Sequence, residues 1–353
     1  MSYRVHLLIL PNAFTTKDFY LDGFSQLTIR MAKLLKSMGV YVMLYGGDRN
    51  EAPCDEFIQC ISTEEHQSIG KDWPYQNAMM TAENPLWKIF NPRAIEEIGK
   101  RKKAKDFIFT LGGVSQKSIM DAHMDLMDVE YSIGYPGNYC RYRVFESYAW
   151  KHICYGGQSI GSERFYDTVI PCFYEEEAFP YYPKGDGYAV YVGRLIPKKG
   201  ISIACDAAKA AGIPLKVLGH GDEKLVTYGE FLGQIDNAAR NELIAHADVM
   251  FCPTVYLEPF NQVAVEAQMC GVPVIATDQG GFTETIEDGI SGRRCHTLRE
   301  FRNAVAECRD MDRGFIRIRA SAQYGMETAR THYQRYMDRL STIWEPGGWS
   351  NLG

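Results

Sequence analysis

The sequence lacks the features that mark secreted, membrane-spanning and nucleic-acid-binding proteins. Its 38 basic residues are outnumbered by 44 acidic ones, and the net charge of −6 argues against a broadly basic nucleic-acid-binding surface. No apolar run approaches the roughly 20 residues that a membrane helix needs, and the run near the N-terminus is too short for a signal-peptide core. These absences lead us to expect a soluble, cytoplasmic protein without a transmembrane segment.

The cysteines lack the spacing of a metal or disulfide site, although there are ten of them. None belongs to a CxxC pair, and several lie inside apolar runs, as Cys252 and Cys270 do. Such surroundings are typical of buried thiols in a reducing compartment. We therefore expect free cysteines and no bound metal.

What the sequence does contain is a regular alternation of short apolar runs and segments of helical period. This alternation is typical of βαβ units with parallel sheets, and 353 residues are enough for two domains of about 150 residues each. A stretch rich in Pro, Tyr and Gly from Phe179 to Gly187 interrupts the pattern. We therefore divide the sequence into an N-terminal domain (1–183), a C-terminal domain (184–332) and a tail (333–353).

Apolar runs and their glycine or proline stops predict the element boundaries. In the first half the predicted strands are Val5–Leu10, Val40–Tyr45, Phe107–Leu111, Glu130–Ile133, His152–Cys154 and Val169–Ile170, with a helix at Gln26–Ser37. In the second half they are Tyr188–Val192, Leu215–Leu218, Val249–Cys252 and Val274–Ala276, with helices at Ile201–Ala211, Ala238–Ala245 and Gln262–Cys270. We interpret Cys54–Pro92 as an irregular insertion or a lid, and the basic run Lys100–Lys105 as a solvated helix end. A contact with a polyanion or a membrane surface is the alternative for that run.

The segment from Glu258 to Glu266 carries the most informative chemical pattern. It follows a predicted strand and opens a helix, with Pro259 at a position that helix starts tolerate. The free N–H groups of a first helical turn attract an anion, and two nearby carboxylates suit the hydroxyl groups of a sugar. The alternative is a capping Glu and a surface Glu, which any α/β protein can show.

The loop Gly193–Gly200 adds two cations at the carboxyl end of a predicted strand. Arg194 and Lys199 lie five residues apart on this loop. Doubly wound sheets bind ligands at this end of their strands, and an Arg fork with a Lys point charge suits a diphosphate.

Several motifs of the second half occur in a fixed order. They are Gly193-Arg-Leu…Lys199-Gly, Leu218-Gly-His-Gly-Asp, Gly233-Gln-Ile, Ala247-Asp-Val-Met-Phe-Cys-Pro, the Glu-x7-Glu segment and Gly271-Val-Pro through Glu284. Over residues 188–295 this order resembles the donor-binding domain of family-4 retaining glycosyltransferases. The resemblance implies an α/β GT-B fold, in which two Rossmann-like domains face each other across a cleft and a C-terminal helix crosses back.

The resemblance also implies a role for each matching residue. Arg194 and Lys199 would hold the diphosphate of a nucleotide-sugar donor and stabilise the departing phosphate, so that no metal cofactor is needed. Glu258 would hold the donor sugar, and Glu266 would accept hydrogen bonds from the ribose. The other donor-binding candidates are Gly193, Gly219, His220, Ile235, Phe260, Asn261, Gln262 and Val263. His220 also fits a simple turn at a strand end.

Two departures from the family pattern concern the acceptor and sugar side. Asp22-Gly23 stands where the family usually has a Gly-Gly pair, and Tyr135 stands in the region where many members have a histidine. Asp22, Gly23 and Tyr135 are therefore the candidates on this side. His123 lies in a helical-looking segment, which favours a surface or core residue over a catalytic one.

The resemblance, with these residues, implies a metal-independent, retaining glycosyltransferase that moves a sugar from a UDP- or GDP-sugar to an acceptor hydroxyl. A nucleotide-sugar-binding protein without transfer activity is the alternative, because the histidine that many family members have in the first domain is missing and the first glycine loop is altered. A dinucleotide-dependent oxidoreductase is disfavoured, because Pro11–Thr16 does not match the Gly-x-Gly-x-x-Gly pattern that should follow the first strand. The acceptor stays open among a glycan, a lipid-linked sugar, a small molecule and a modified nucleic acid.

Overall fold

The protein folds as two compact units in a computed structural model that describes residues 3–16, 23–70, 84–157, 164–343 and 345. The first unit takes in the described residues up to Glu146, those of Ile153–Pro171 and those from Ala329 onwards. The second comprises Ser147–His152 and Cys172–Thr328. The division of the sequence at residues 184 and 333 stays a prediction about functional domains.

The first unit is built on a parallel sheet whose central strands are buried on both faces. Its strands are β1 (Arg4–Leu8), β2 (Tyr41–Gly46), β3 (Glu56–Gln59), β4 (Phe107–Thr110), β5 (Met127–Ile133), β6 (Tyr142–Phe145) and β7 (Thr168–Val169). Its helices are α1 (Gly23–Ser37), α2 (Thr63–Gly70), α3 (Pro85–Arg101) and α4 (Lys117–Ala122), and α5 (Tyr148–Gly156) begins in the second unit and ends in the first. The strand order is β3-β2-β1-β4-β5-β6-β7.

The second unit is built in the same way. Its strands are β8 (Ala189–Val192), β9 (Leu215–Leu218), β10 (Glu230–Phe231), β11 (Val249–Cys252), β12 (Val274–Thr277) and β13 (Gly292–Cys295). Its helices are α6 (Ile201–Ala211), α7 (Asn237–Ala245), α8 (Gln262–Met269), α9 (Phe282–Thr285), α10 (Leu298–Arg309) and α11 (Arg313–Tyr324). The order β10-β9-β8-β11-β12-β13 is again all parallel.

Both sheets place their first strand in the middle, so that the chain winds outward first to one side and then to the other. In the second unit the direction reverses between β8 and β11, which pair directly. In doubly wound sheets ligands bind beside the carboxyl ends of the strands at such a switch point. This point of the second unit is where the sequence places the 193–200 loop and Glu258.

The last helix, α12 (Met326–Thr342), runs from the second unit into the first. In the first unit its Tyr333 ring lies 6.5 Å from that of Phe109, and the Tyr336 hydroxyl donates to the carbonyl of Tyr166 at 3.0 Å. The predicted C-terminal helix that returns to the N-terminal part is thus present. Across the described ranges, no helix has both the length and the apolarity to span a membrane.

Two sequence predictions of the first half were wrong. The segment His152–Cys154, predicted as a strand, lies within α5, whose first turn is capped by the adjacent Ser147 and by Glu284, which is far away in the sequence. The stretch Cys54–Pro92, predicted as irregular, contains β3, α2 and the start of α3 in its described residues. Residues 71–83 of that stretch lie outside the described residues.

Two other sequence predictions are confirmed. All ten cysteines are free. The basic run begins in the last turn of α3, as a helix end should, and carboxylates pair with most of its side chains. These ion pairs are Lys100 with Glu96 and Glu97, Arg101 with Glu56 and Glu97, Lys102 with Asp125, and Lys105 with Glu345.

Candidate functional site

The 193–200 loop and the loop after β11 are bound to each other where their two strands end. The backbone N–H of Val255 donates to the carbonyl of Lys198 at 3.0 Å. Within the 193–200 loop, the hydroxyl of Tyr191 lies within hydrogen-bond distance of the carbonyls of Arg194 and Lys199, at 3.1 and 3.3 Å. The two loops therefore form one ordered surface rather than two independent segments.

Lys199 and Glu258 form an ion pair at the centre of this surface. Lys199 Nζ lies 2.7 Å from Glu258 Oε2, and the two side chains are 17% and 8% exposed. The Tyr256 hydroxyl donates to Glu258 Oε1 at 3.1 Å, and the Asn261 amide donates to Oε2 at 3.2 Å. Burial alone would lower the pKa of Lys199, but Glu258 and Tyr256 outweigh it and raise that pKa above its ordinary value. Lys199 is therefore a fixed cation.

The residues from Glu258 to Asn261, here named the 258–261 turn, lead directly into α8. Asn261 has the left-handed φ of 67°, and its side chain accepts a hydrogen bond from Ala264 N–H at 3.1 Å as the N-cap. Phe260 is buried, and its ring packs edge-on against Tyr324. Phe260 can therefore reach a ligand only through its backbone. Gln262 and Val263 are half-buried in the first turn of the helix.

Arg194 and Glu266 differ in their surroundings. Arg194 is exposed, and among the described residues no carboxylate pairs with its guanidinium. Glu266 is nearly buried on α8, where its Oε2 lies 2.9 Å from the guanidinium of Arg240 on α7. The structure thus brings together Lys199, Glu258 and Asn261, keeps Arg194 open to an anion, and binds Glu266 to a partner that the sequence did not predict.

A third loop, after β9, lies against the 193–200 loop. Gly219 has φ of 146°, and a Cβ there would lie 1.8 Å from the carbonyl oxygen of Gly193, so only glycine fits. Leu195 N–H donates to the carbonyl of His220 at 2.7 Å, which makes His220 a turn residue at a strand end. The His220 Nδ1 atom also lies 3.1 Å from the Gln234 amide nitrogen, next to the half-buried Ile235.

The sugar-side candidates belong to the first unit. The Tyr135 hydroxyl donates to Glu130 Oε1 at 2.8 Å, and its ring packs edge-on against Phe24, the neighbour of Gly23. Gly23 is the first residue of α1 and is exposed, whereas Asp22 lies outside the described residues.

Glu130 is a buried carboxylate that sequence reasoning missed. The backbone N–H groups of residues 139 and 140 donate to it, and burial still raises its pKa. His123 is buried, with Nε2 3.0 Å from the carbonyl of Ile95, which places it in the core as expected.

The comparisons with known proteins come from both sequence and structure. The model of the family described as Glycosyl transferases group 1 matches residues 175–298. The phosphatidyl-myo-inositol mannosyltransferase of Mycobacterium leprae is 34% identical over 125 residues, which cover 31% of this chain and 33% of that protein. The chain therefore spans about a third of the length of this curated relative.

Solved structures resemble the chain over almost its whole length. AviGT4, a glycosyltransferase involved in avilamycin A biosynthesis, has a TM-score of 0.69 at 16% identity, covering 96% of this chain and 98% of that one. Anabaena HepE, solved in complex with UDP and glucose, has a TM-score of 0.68 at 16% identity, covering 95% and 99%. This likeness confirms the predicted fold class, an α/β GT-B fold with two Rossmann-like units.

Proposed function

Because the chain carries a domain of the glycosyl transferases group 1 family over residues 175–298, we propose that the protein is a retaining glycosyltransferase. It moves a sugar from a UDP- or GDP-sugar to an acceptor hydroxyl and needs no metal ion. The observation that carries this proposal is the pair of Lys199 and Glu258, fixed 2.7 Å apart beside the exposed Arg194 at the switch point of a doubly wound sheet. A cytoplasmic location, where nucleotide sugars and free thiols occur together, is part of the proposal.

Each charged side chain has a defined task in this reaction. Arg194 and Lys199 bind the diphosphate and stabilise the negative charge that develops on it as the glycosidic bond breaks. Glu258 accepts hydrogen bonds from hydroxyl groups of the donor sugar, and Glu266 accepts them from the ribose. Two cations of the protein can replace a metal ion because they act on charge that forms at one fixed place.

Retention of configuration requires the acceptor to attack from the side on which the nucleotide leaves. We propose that the leaving phosphate accepts the proton of the acceptor hydroxyl on that same face, while the sugar passes through an oxocarbenium-like state. HepE, which was solved with UDP and glucose, and the mannosyltransferase relative support a nucleotide-linked hexose as donor. The acceptor, which must present a hydroxyl group to this face, stays open among a glycan, a lipid-linked sugar, a small molecule and a modified nucleic acid.

The first experiment is a thermal-shift panel with UDP, GDP, UDP-glucose and GDP-mannose, each with and without EDTA. A ligand that binds only the folded state raises the melting temperature by mass action. We expect a shift with the nucleotides of one base that persists in EDTA, followed by release of that nucleoside diphosphate in an acceptor screen. A shift that EDTA abolishes would contradict the metal-independent mechanism. Binding without turnover by any acceptor would favour a nucleotide-sugar-binding protein.

The Glu266→Ala variant tests the donor site more directly. It should weaken binding of the responsive nucleotide by about 1–3 kcal/mol, because the ribose loses a charged hydrogen-bond acceptor. Glu242→Ala, which removes an exposed carboxylate from the neighbouring helix α7, is the matched control and should bind as the wild type does. Equal affinity of Glu266→Ala and wild type in isothermal titration would rule out the ribose assignment.

A further inference from the structure

The 258–261 turn is held from outside rather than by its own backbone. Pro259 has no N–H to donate, and the left-handed φ of Asn261 interrupts the helical backbone, so the turn can form few hydrogen bonds within its own backbone. The carbonyl of Glu258 accepts instead from Gly281 N–H at 2.7 Å, and the carbonyl of Pro259 accepts from the hydroxyl of Ser147 at 2.5 Å. Both contacts come from residues distant in sequence.

Gly280 and Gly281 explain how the first of these contacts arises. Gly280 has φ of 60°, and a Cβ there would lie 2.7 Å from the Glu258 carbonyl oxygen. The backbone can therefore approach the turn closely only because residue 280 has no side chain. The helix that follows, α9, carries the half-buried Glu284.

Ser147 reaches the turn because α5 is anchored there by its first residues. The Glu284 carboxylate accepts from the backbone N–H groups of Tyr148 and Ala149 at 2.9 and 2.7 Å, and Ser147 Oγ accepts from Trp150 N–H at 3.0 Å. Residues 147–152 thereby belong to the second unit, although the chain before and after them belongs to the first.

Helix capping alone does not account for the contact with Pro259. A capping serine uses a lone pair of its oxygen, and its hydroxyl proton remains free to point to solvent. Ser147 is only 1% exposed, and its hydroxyl group donates to the carbonyl of Pro259. Pro259 directly follows Glu258, whose carboxylate pairs with Lys199.

We infer that Ser147 is a positioning residue that holds the 258–261 turn, and with it Glu258, in place for the donor sugar. This inference rests on the proposed function. Glu284 acts indirectly: its carboxylate holds the first turn of α5, and that turn fixes the position of Ser147. We assign the role to the sugar and not to the nucleotide, because in the described residues no hydrogen bond or ion pair joins Arg194, Lys199 or Glu266 to Ser147 or Glu284.

The test compares binding with and without the sugar. For wild type, Ser147→Ala, Ser147→Thr and Glu284→Gln, isothermal titration gives the dissociation constants of UDP and UDP-glucose, and of GDP and GDP-mannose. For the pair that binds, we expect Ser147→Ala to weaken the nucleotide sugar about threefold to tenfold, the effect of one lost hydrogen bond, and to leave the nucleotide within twofold. Ser147→Thr keeps the hydroxyl and should restore the wild-type ratio, while Glu284→Gln should give an intermediate one.

A matched control separates this role from general loss of stability. Thr297→Val removes the N-cap hydroxyl of α10 in the same unit, far in sequence from the turn. It should lower the melting temperature as Ser147→Ala does, without changing the ratio of the two dissociation constants.

Each outcome of the comparison has one meaning. If Ser147→Ala weakens nucleotide and nucleotide sugar equally, or changes neither, the positioning role is overturned while the proposed function stands. If wild type binds none of the four ligands, the proposed function fails, and the inference fails with it. If Ser147→Ala does not fold, an unchanged ratio in Glu284→Gln overturns the inference.

Discussion

Asn261 holds a backbone conformation that few side chains tolerate. Its φ of 67° is left-handed, which costs an ordinary residue roughly 1–2 kcal/mol, but Asn visits this region more readily than most. Its side chain also caps α8 and donates to Glu258, so one residue shapes the turn, starts the helix and orients the carboxylate.

The energetic contribution of Asn261 can be divided by two substitutions. Both variants lose the capping side chain. Asn261→Gly keeps the left-handed conformation, and Gly at an N-cap costs only a few tenths of a kcal/mol. Asn261→Ala costs more, because Ala is a poorer N-cap residue than Gly and also carries the left-handed penalty. We expect urea unfolding to show Asn261→Ala less stable than Asn261→Gly by about 2 kcal/mol. Equal stability of the two variants would contradict the left-handed assignment.

The charged partners of the site lay beyond sequence reasoning. The spacing of Arg194 and Lys199 predicts a cationic loop, and the Glu-x7-Glu pattern predicts two carboxylates on one segment. Neither pattern shows that Lys199 pairs with Glu258, or that Glu266 pairs with Arg240, because these pairings depend on how two separate loops or helices pack. A pattern along the chain identifies residue types, and only the fold decides which of them meet.

Helices α2 and α3 show how part of the stretch Cys54–Pro92, which the sequence predicts as irregular, is ordered. Glu65 on α2 accepts two hydrogen bonds from the Arg93 guanidinium on α3, at 2.7 and 2.8 Å. Its carboxylate also accepts from Ser62 N–H at 2.9 Å. The Arg93 hydrogen bonds, helped by Ser62, lower the pKa of Glu65 from 4.5 to about 2.

This lowered pKa predicts a pH dependence of the stability. A carboxyl group with a lower pKa in the folded state stabilises the protein above its unfolded pKa and loses that contribution as the pH falls through the folded value. The stability difference between wild type and Arg93→Gln should therefore be full at pH 7 and shrink between pH 4.5 and about 2. Urea unfolding at a series of pH values measures it, and Arg93→Lys is the control that keeps the charge.

The contradicting result is a stability difference that does not change over that range. It would mean that Arg93 acts only through its hydrogen bond to the carbonyl of Cys60, which does not titrate.

The local sequence around each strand and helix explains which of these elements can be predicted well. The strands and helices that the sequence predicts in the second half match the observed bounds within one or two residues, because their apolar runs are continuous and most end at a glycine or proline. The sequence did not predict β10, β13, α9, α10 and α11. The strand β6 was missed because Arg141 and Arg143 flank its apolar residues. Arg143 is nevertheless buried, with its guanidinium 2.6 Å from the carboxylate of Asp167. Long-range ion pairs and long-range caps, as in α5, are invisible to a local pattern.

For the whole molecule, the two units share one plan. Each is a parallel sheet with its first strand in the centre, and the order of motifs along the second half was enough to predict this fold class. The chain passes between the units at residues 146/147, 152/153, 171/172 and 328/329, and the second and fourth of these crossings lie inside α5 and α12. Two of the four crossings thus lie inside regular helices, where the composition gives no sign of a boundary.

The cysteines of the two units have a practical consequence for following the protein by spectroscopy. Eight of the ten are buried, and burial raises the pKa of Cys60, Cys270 and Cys295 to about 12. Since the thiolate is the reactive form, maleimide dyes should modify these side chains slowly at neutral pH. A cysteine introduced at an exposed position, by Lys103→Cys in the first unit or Lys209→Cys in the second, should then take up a fluorophore ahead of the eight buried thiols, so that each unit can carry its own reporter.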